Sequence, residues 1–147
     1  MSHWKTGKMK LQCSLVVLQR ALINIMPGWE KHIKVDASGQ LPIYSSYQGT
    51  SKKTYSLVVP KGGDTGVTGS DLGFSQSPDG SWSITHDYLP RGLRDPEGQV
   101  LQQVATMKAR AIAAMRGYIV TRDQQVGDEQ VIDMLVPASE ETQFLNA

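Results

Sequence analysis

Lysines and aromatic rings recur together in the first third of the chain, and side chains of these two kinds can bind acidic surfaces or nucleic acids. Lysines attract carboxylates and phosphates, while exposed rings stack on unpaired bases. The pattern predicts a partner-binding surface made of the following side chains: Trp4, Lys5, Lys8, Lys10, Lys31 and Lys34. The alternative is an ordinary sheet whose aromatic rings belong to the core and whose lysines are solvated.

The net charge of +1 hides an uneven distribution along the chain. Residues 1–61 hold nine Lys or Arg and two acids, a net charge of +7, whereas residues 62–147 hold six Lys or Arg and twelve acids, a net charge of −6. Such polarity is found at nucleic-acid surfaces and in head-to-tail association. Alternatively, the two halves neutralise each other across one fold.

Residues typical of catalysis or metal binding are few and widely spaced. His3, His32 and His86 are far apart, and His3 could meet His86 only if the first strand pairs with a later one, with no third metal ligand at hand. Neither a Gly-x-Ser-x-Gly turn nor a His-Glu-x-x-His helix occurs, and the glycine-rich segment 62–66 lacks the ending of a phosphate loop. We therefore expect no enzyme activity, no metal, no cofactor and no small-molecule substrate.

The single cysteine, Cys13, cannot form an intramolecular disulfide, and the apolar run 15–18 beside it favours a buried structural thiol over a reactive one. No apolar stretch approaches the roughly 18 residues of a membrane span. The apolar run after the N-terminal lysines is also too short for a signal peptide. These features favour a cytoplasmic protein that does not enter a membrane.

Two helices must help to position the basic residues. Apolar residues at three- and four-residue spacing predict a first helix over 14–26, capped by Ser14 and ended by Pro27-Gly28. A second apolar stripe predicts a helix over 96–116, with Asp95 as its N-cap and Gly117 as its stop. The centres of these stripes predict buried side chains at Leu18, Leu22, Val104 and Met107.

The remaining elements are short β-runs separated by turn residues. They predict strands over 1–10, 32–35, 42–47, 54–59, 71–75, 81–86, 118–124 and 130–136. The segment Ser77-Pro78-Asp79-Gly80 has the signature of a type I turn, which predicts a hairpin over 71–87 with a positive φ at or next to Gly80 and Trp82 packed on the sheet.

This order of elements favours an α+β fold, with an antiparallel sheet (a meander plus a C-terminal hairpin) and two helices packed on one of its faces. At 147 residues the chain has the usual size of one domain. We expect a single domain over residues 1–137, followed by a flexible acidic tail over 138–147.

Four short motifs resemble an uncharacterised family, the hypothetical chloroplast reading frame numbered thirty-five, found in cyanobacteria and algal plastids. They are Met1-Ser2-His3-Trp4, Tyr47-Gln48-Gly49, Asp71-Leu72-Gly73-Phe74 with Asp79-Gly80-Ser81-Trp82, and the long helix followed by Gly117-Tyr118. The likeness covers most of residues 1–136. It implies no known activity and no catalytic residues. Because such genes often lie near one for an AAA-type ATPase, it implies an accessory role, in a cyanobacterial or viral setting.

We expect a non-enzymatic accessory protein that binds a protein partner, either an AAA-type ATPase or its own copies. The alternative is a nucleic-acid-binding module that uses the basic N-terminal half. Phosphate contacts make affinity fall steeply with salt, so a salt titration would separate the two.

Overall fold

The computed structural model describes residues 4–117, 119–127 and 129–135. Its helices are α1 (Leu15–Ile25) and α2 (Pro96–Arg116), and a single 3-10 turn spans Pro27–Trp29. Its strands are β1 (Lys5–Gln12), β2 (Lys34–Val35), β3 (Tyr44–Ser45), β4 (Gly49–Thr50), β5 (Leu57–Val59), β6 (Leu72–Gln76), β7 (Ser81–His86), β8 (Ile119–Val126) and β9 (Glu129–Leu135). The chain divides into two compact units, Met1–Leu101 and Gln102–Ala147.

Five strands of the first unit form an antiparallel sheet in the order β1-β7-β6-β5-β2. Alternation along these strands gives the sheet one apolar face, where facing pairs such as Phe74 and Ile84 come together. The side chains on this apolar face are all buried: Leu57, Val59, Leu72, Phe74, Trp82 and Ile84. The predicted α+β architecture with antiparallel pairing is confirmed.

The opposite face of the sheet is covered by the segment that contains β3 and β4. Ile43, Tyr55 and Val58 form a buried cluster there, against which Trp4 and Leu41 pack. Gly73 lies beneath this cluster, and a Cβ at that position would lie 2.8 Å from the Tyr55 ring and 2.9 Å from Ile43. A glycine is therefore needed in the centre of β6 for the covering segment to approach so closely.

Helix α1 begins where the sequence predicts, because the Ser14 hydroxyl accepts a hydrogen bond from the Val17 N–H at 3.2 Å. Leu18 and Leu22 are fully buried, as predicted from the apolar stripe. At the end of the 3-10 turn that follows, Trp29 is buried and donates its indole N–H to the Thr65 carbonyl at 2.7 Å. This bond connects α1 to the glycine-rich segment, which is therefore held at a defined place.

The predicted hairpin between β6 and β7 is confirmed. Gly80 has φ +88°, and its N–H donates to the Ser77 carbonyl at 2.9 Å, which closes the turn. Trp82 is fully buried on the apolar face.

Helix α2 also starts as predicted, since the Asp95 carboxylate accepts a hydrogen bond from the Gly98 N–H at 3.2 Å. It ends before Gly117, which has φ +68°. Val104 is buried as expected, but Met107 is only partly buried, so the prediction for Met107 is wrong. The closing hairpin of β8 and β9 is present with nearly the predicted bounds.

Three predicted strands are shorter than expected. Strand β2 lacks His32 and Ile33, whose N–H groups both donate to the Trp29 carbonyl at 2.9 Å. After β2, the Asp36 carboxylate accepts from the Ser38 N–H at 3.0 Å and the Gln40 N–H at 3.4 Å, which bends the chain. In the run 42–47, the Ser45 hydroxyl accepts from the N–H groups that follow it, leaving only Tyr44–Ser45 as strand. Such local bonds compete with the ladder of a sheet. The predicted run 54–59 keeps only Leu57–Val59 as strand, because Tyr55 before it pairs through its backbone with Leu41 instead.

At the N-terminus, the strand predicted over 1–10 runs from Lys5 to Gln12, because Gln12 still pairs with Ser81. The first motif of the family resemblance lies outside the described residues except for Trp4. Tyr118 and the predicted tail over 138–147 are also outside them.

Candidate basic edge on strand β1

Strand β1 forms one edge of the five-stranded sheet and carries three of the predicted binding residues. Among the described strands it pairs only with β7, from Lys5 opposite His86 to Gln12 opposite Ser81. Lys5, Lys8 and Lys10 are exposed, and only Lys8 forms an ion pair with a described residue. We call Lys5–Gln12 the basic edge. An edge strand presents unpaired N–H and C=O groups along its open side, so it can accept a further strand.

The other two predicted lysines lie elsewhere. Lys34 is on β2, at the opposite edge of the sheet, and Lys31 precedes it after the 3-10 turn. Four strand spacings, about 19 Å, separate β1 from β2. The five lysines therefore do not form one patch: three are on the basic edge and two lie near the far edge.

A groove with a volume of about 370 Å³ runs along the second half of the basic edge. Its lining consists of Lys8, Met9, Lys10, Leu11, Gln12, Asp79 and Ser81. The pairing register of β1 with β7 shifts between Lys8 and Gln12, and this irregularity coincides with the groove. Bulges commonly re-aim side chains at sheet edges in this way. The groove combines buried apolar residues, Met9 and Leu11, with exposed lysines on either side of Met9.

Asp79 gives the groove one fixed negative charge. The Ser81 hydroxyl donates to its carboxylate at 2.6 Å and the Ser81 N–H at 2.9 Å, and these bonds hold the pKa of Asp79 below its usual range. The Lys8 ammonium, 3.7 Å from the carboxylate, acts in the same direction. Gln12 donates to the Asp79 carbonyl at 2.8 Å. Asp79 thus holds Lys8 at one end of the groove, while Lys5 and Lys10 have no such partner among the described residues.

One backbone N–H of the basic edge already donates a hydrogen bond to a carboxylate. The Lys10 N–H donates to Oε1 of Glu97, in the first turn of α2, at 3.1 Å. This N–H is therefore not part of the β1–β7 ladder. No local pattern in the sequence indicates this contact, since Glu97 is recognisable there only as a favourable first-turn acid.

Trp4 lies immediately before the basic edge, and its side chain faces inward. It packs against the cluster of Ile43, Tyr55 and Val58. Its Nε1 is buried and has no hydrogen-bond partner in the described part of the chain. Trp4 is thus an anchor for the start of β1 and does not offer a free ring for stacking.

Two exposed aromatic rings of the first unit lie on the β3–β4 hairpin. Tyr44 is 48% exposed and Tyr47 65% exposed. The Lys61 ammonium lies 5.2 Å from the centre of the Tyr44 ring and donates to the Ser46 hydroxyl. Both tyrosines belong to the pattern of lysines and aromatic rings in the sequence, but that pattern does not show which rings are exposed, because exposure of a tyrosine depends on which side of a short hairpin it occupies.

Asp71 fixes the geometry of this tyrosine hairpin. Its carboxylate accepts hydrogen bonds from the N–H groups of Tyr44 and Lys61, both at 2.9 Å. Its own N–H donates to the Tyr44 carbonyl at 2.8 Å. The β3–β4 hairpin is therefore tied to the start of β6 through both the side chain and the backbone of Asp71.

The candidate metal-binding and nucleophilic residues are not brought together. Among residues 4–117, 119–127 and 129–135, no group of three or more His, Cys, Asp or Glu could hold a metal ion. His86 is partly buried, and burial lowers its pKa, as does the nearby Lys5 ammonium. His3 lies outside the described residues, so its predicted meeting with His86 stays a prediction. Cys13 is partly buried.

Within the described residues, no helix has the length and apolar character needed to cross a membrane. The sequence matches no protein-family model, and no curated protein or solved structure is similar to the chain. The resemblance to the plastid reading-frame family thus stays a prediction.

Proposed function

We propose that the chain is a non-enzymatic interaction protein whose basic edge binds an acidic, extended segment of a partner protein. The observation that carries this proposal is the hydrogen bond from the Lys10 N–H to the Glu97 carboxylate at 3.1 Å. It is an example, within one chain, of an acidic side chain bound by a backbone N–H of β1. The exposed ammonium groups of Lys5 and Lys10, which have no acid partner among the described residues, supply the attraction for further carboxylates.

Binding would proceed by strand addition. Main-chain hydrogen bonds to an edge strand supply affinity, and alternate side chains of the added segment supply specificity. Acidic residues of the segment would face Lys5, Lys8 and Lys10, and an apolar side chain would enter the groove beside Met9. The three lysines also repel a second basic edge, which favours a different protein over self-pairing at this strand. Complementary charge would mainly accelerate association.

The family resemblance suggests an AAA-type ATPase as the partner, and the proposal requires of such a partner only an acidic extended segment. Lys5 and Lys8 lie on opposite faces of β1, so a probe with this chemistry is a fluorescent Glu and Val peptide of repeat Glu-Glu-Val-Val, which presents glutamates on both faces. The same repeat with Gln in place of Glu is the neutral control. Fluorescence anisotropy at low and at high salt would measure binding of each peptide to the full chain. We expect binding of the acidic peptide alone, weakening as salt rises.

The matched variants have equal changes in charge. Changing Lys5, Lys8 and Lys10 to Glu should abolish binding of the acidic peptide. Changing Lys31, Lys34 and Lys61 to Glu should reduce it only slightly, because these lysines lie on or near β2 and β5, away from the basic edge. If both triple variants lose the same affinity for the acidic peptide, binding depends only on the net charge of the protein. If the unchanged protein does not bind the acidic peptide at low salt, the proposal is wrong.

Single-stranded nucleic acid is a second candidate ligand, favoured by the exposed rings of Tyr44 and Tyr47 beside Lys61. Stacking of a base on a ring contributes about 1–3 kcal/mol, and lysines would contact the phosphates. Oligonucleotide binding that weakens linearly in log affinity against log salt, and that Tyr47→Ala weakens, would support this alternative. Binding unaffected by Tyr47→Ala would contradict it.

A further inference from the structure

Asp87 carries a carboxylate that is almost fully buried in the first compact unit, directly after β7. The residue is only 4% exposed. Within the described part of the chain, its carboxylate accepts no hydrogen bond and forms no ion pair. Acidic side chains are rarely buried to this extent without a partner, because the charge loses its hydration. A positively charged group from another molecule would offset that loss.

The two oxygens of this carboxylate are within reach of a ligand. Among the described residues, the Nε1 of Trp4 is the one side-chain N or O that is sealed from solvent without a hydrogen-bond partner. The Asp87 oxygens lack such a partner there too, so they keep some contact with solvent. The adjacent His86 carries no charge at neutral pH, because burial lowers its pKa, and it therefore does not neutralise Asp87. Lys5 lies opposite His86, but its ammonium forms no ion pair with a described acid.

Gly69 allows this carboxylate and an aromatic ring to occupy the same small space. A Cβ on Gly69 would lie 2.8 Å from Cγ of Asp87 and 3.0 Å from Cδ2 of Tyr88, so both side chains fill the place that a larger residue would need. Gly69 has φ +80°, and its carbonyl accepts a hydrogen bond from the Ser46 N–H at 3.5 Å. The backbone also pairs Thr68 with Tyr88. We call Asp87 and Tyr88, held against Gly69, the acidic corner.

The Tyr88 ring gives the acidic corner a surface that attracts cations. This residue is 53% exposed. The face of an aromatic ring attracts positive charge, and guanidinium groups also stack on it. The chain already shows such an attraction at Tyr44, whose ring centre lies 5.2 Å from the Lys61 ammonium. A ring and a carboxylate at one place favour a cationic ligand and repel a phosphate.

An arginine side chain matches both features of the acidic corner at once. Its guanidinium is planar, donates in a fork that suits a carboxylate, and is more weakly hydrated than an ammonium. One edge of the guanidinium can donate to both Asp87 oxygens while its plane stacks on Tyr88. A lysine ammonium offers no such fork. A metal ion needs further ligands, and the described residues contain no group of three that could supply them.

We propose that the acidic corner binds an arginine side chain of a partner protein. Arg91 and Arg94 follow Tyr88 in the chain, yet neither forms an ion pair with a described residue, so the corner is not filled from within the described chain. The ligand is opposite in charge to the acidic segment proposed for the basic edge. This inference therefore does not depend on that function.

NMR titration of the isotope-labelled full chain tests the proposal. The probe is the blocked peptide Gly-Gly-Arg-Gly-Gly, and two matched peptides carry lysine or the uncharged analogue citrulline in place of arginine. We expect saturable shifts at the amide signals of Gly69, Asp87 and Tyr88, and an affinity for the arginine peptide about tenfold or more above that for the others. Equal affinities for the three peptides, or shifts at other residues only, would overturn the proposal.

Free arginine distinguishes a partner protein from a small metabolite as the source of the side chain. It has the same guanidinium but adds a charged amine and a carboxylate, and Asp87 repels the carboxylate. We expect free arginine to bind no more tightly than the arginine peptide. Clearly tighter binding of free arginine would contradict the assignment to a partner protein.

The charge of Asp87 is tested by a substitution that keeps its shape. Asp87→Asn should weaken binding of the arginine peptide about tenfold or more. Glu30→Gln makes the same change in net charge at an exposed site after the 3-10 turn, and it should leave binding unchanged. Equal losses in the two variants would mean that only long-range charge attracts the peptide, and the proposal would be wrong.

The ring of Tyr88 provides a second test that remains decisive if Asp87→Asn does not fold. Tyr88 is exposed, so its substitutions leave the core intact. Tyr88→Leu removes the ring and should weaken binding of the arginine peptide several-fold, whereas Tyr88→Phe keeps the ring and should bind nearly as well as the unchanged protein. If Tyr88→Leu binds the arginine peptide as tightly as Tyr88→Phe does, the ring takes no part and the proposal fails.

Discussion

Trp82 donates its indole N–H to the main-chain carbonyl of Cys13 at 2.9 Å, which joins strand β7 to the residue before the N-cap of α1. Gln76 donates to the same carbonyl at 3.2 Å. The carbonyl therefore has two donors, both on the β6–β7 hairpin. These two hydrogen bonds to one carbonyl fix where α1 begins over the apolar face, and Ser14 then caps the helix at that point.

The burial of α1 gives the first prediction. Leu22 is fully buried, so Leu22→Ala should lower the free energy of unfolding by about 2–5 kcal/mol, through lost burial and the cavity left behind. Val16→Ala, at a site that is 74% exposed on the same helix, should change it by less than about 0.5 kcal/mol. Urea unfolding followed by circular dichroism measures both. Similar small losses in the two variants would mean that α1 does not contribute to the core.

The second prediction concerns Gly73. A Cβ there would lie 2.8 Å from the Tyr55 ring, so Gly73→Ala should destabilise the protein by about 1–3 kcal/mol by overpacking. Gly63 has nothing within 4 Å of the corresponding position and no positive φ, so Gly63→Ala should be neutral or slightly stabilising. Thermal unfolding of both variants checks this contrast. A stable Gly73→Ala protein would show that the segment 41–55 can shift without cost.

The helix starts and the turn could be predicted from the sequence, because the residues that determine them act on backbone groups only a few residues away. Ser14, Asp95 and Gly80 act through bonds to backbone groups two to three residues away, and all three behave as predicted. Short-range chemistry of this kind can be seen in a sequence.

The candidate site was less predictable because it depends on which strands become neighbours. Lys5 and Lys34 belong to the same charge-rich half, yet the strand order sends their strands to opposite edges of the sheet. Glu97 is 87 residues from Lys10, and nothing local indicates their contact. Met107 is on the apolar stripe of α2 but only partly buried, because periodicity marks a helix face without telling how much of it is covered.

The third prediction tests the turn at Gly80. Its φ of +88° is unfavourable for a β-branched residue, so Gly80→Val should destabilise the protein by about 1–3 kcal/mol. Gly80→Asn should cost clearly less, because asparagine tolerates a positive φ. Chemical unfolding of the pair measures the difference. Equal costs for Val and Asn would mean that loss of flexibility, and not backbone strain, is what matters there.

The fourth prediction concerns pH and His86, whose pKa is lowered by burial and by the Lys5 ammonium. The unfolded chain therefore binds a proton at His86 more readily than the folded chain does. The free energy of unfolding should begin to fall as the pH drops below 6.5, the ordinary pKa, and should stop falling once the pH is below the lowered pKa of the folded state. His86→Gln should flatten this part of the stability profile. NMR titration of the imidazole should show a midpoint below 6.5, which Lys5→Gln raises and Lys34→Gln leaves unchanged. A midpoint at or above 6.5 would contradict the burial of the ring.

The last prediction links Glu97 to the basic edge. Glu97 accepts a hydrogen bond from the Lys10 N–H at 3.1 Å, so it competes with any acidic segment that binds there. Glu97→Ala should strengthen binding of the Glu and Val peptide, whereas Glu97→Gln, which keeps an acceptor oxygen, should strengthen it less. Removing an acid from the first turn of α2 also costs about 0.3–1 kcal/mol of stability, so thermal unfolding must accompany the binding measurement. Glu30→Ala removes an exposed acid elsewhere and controls for net charge. If Glu30→Ala improves binding as much as Glu97→Ala does, the Lys10 N–H takes no part in the site, and long-range charge alone accounts for the attraction.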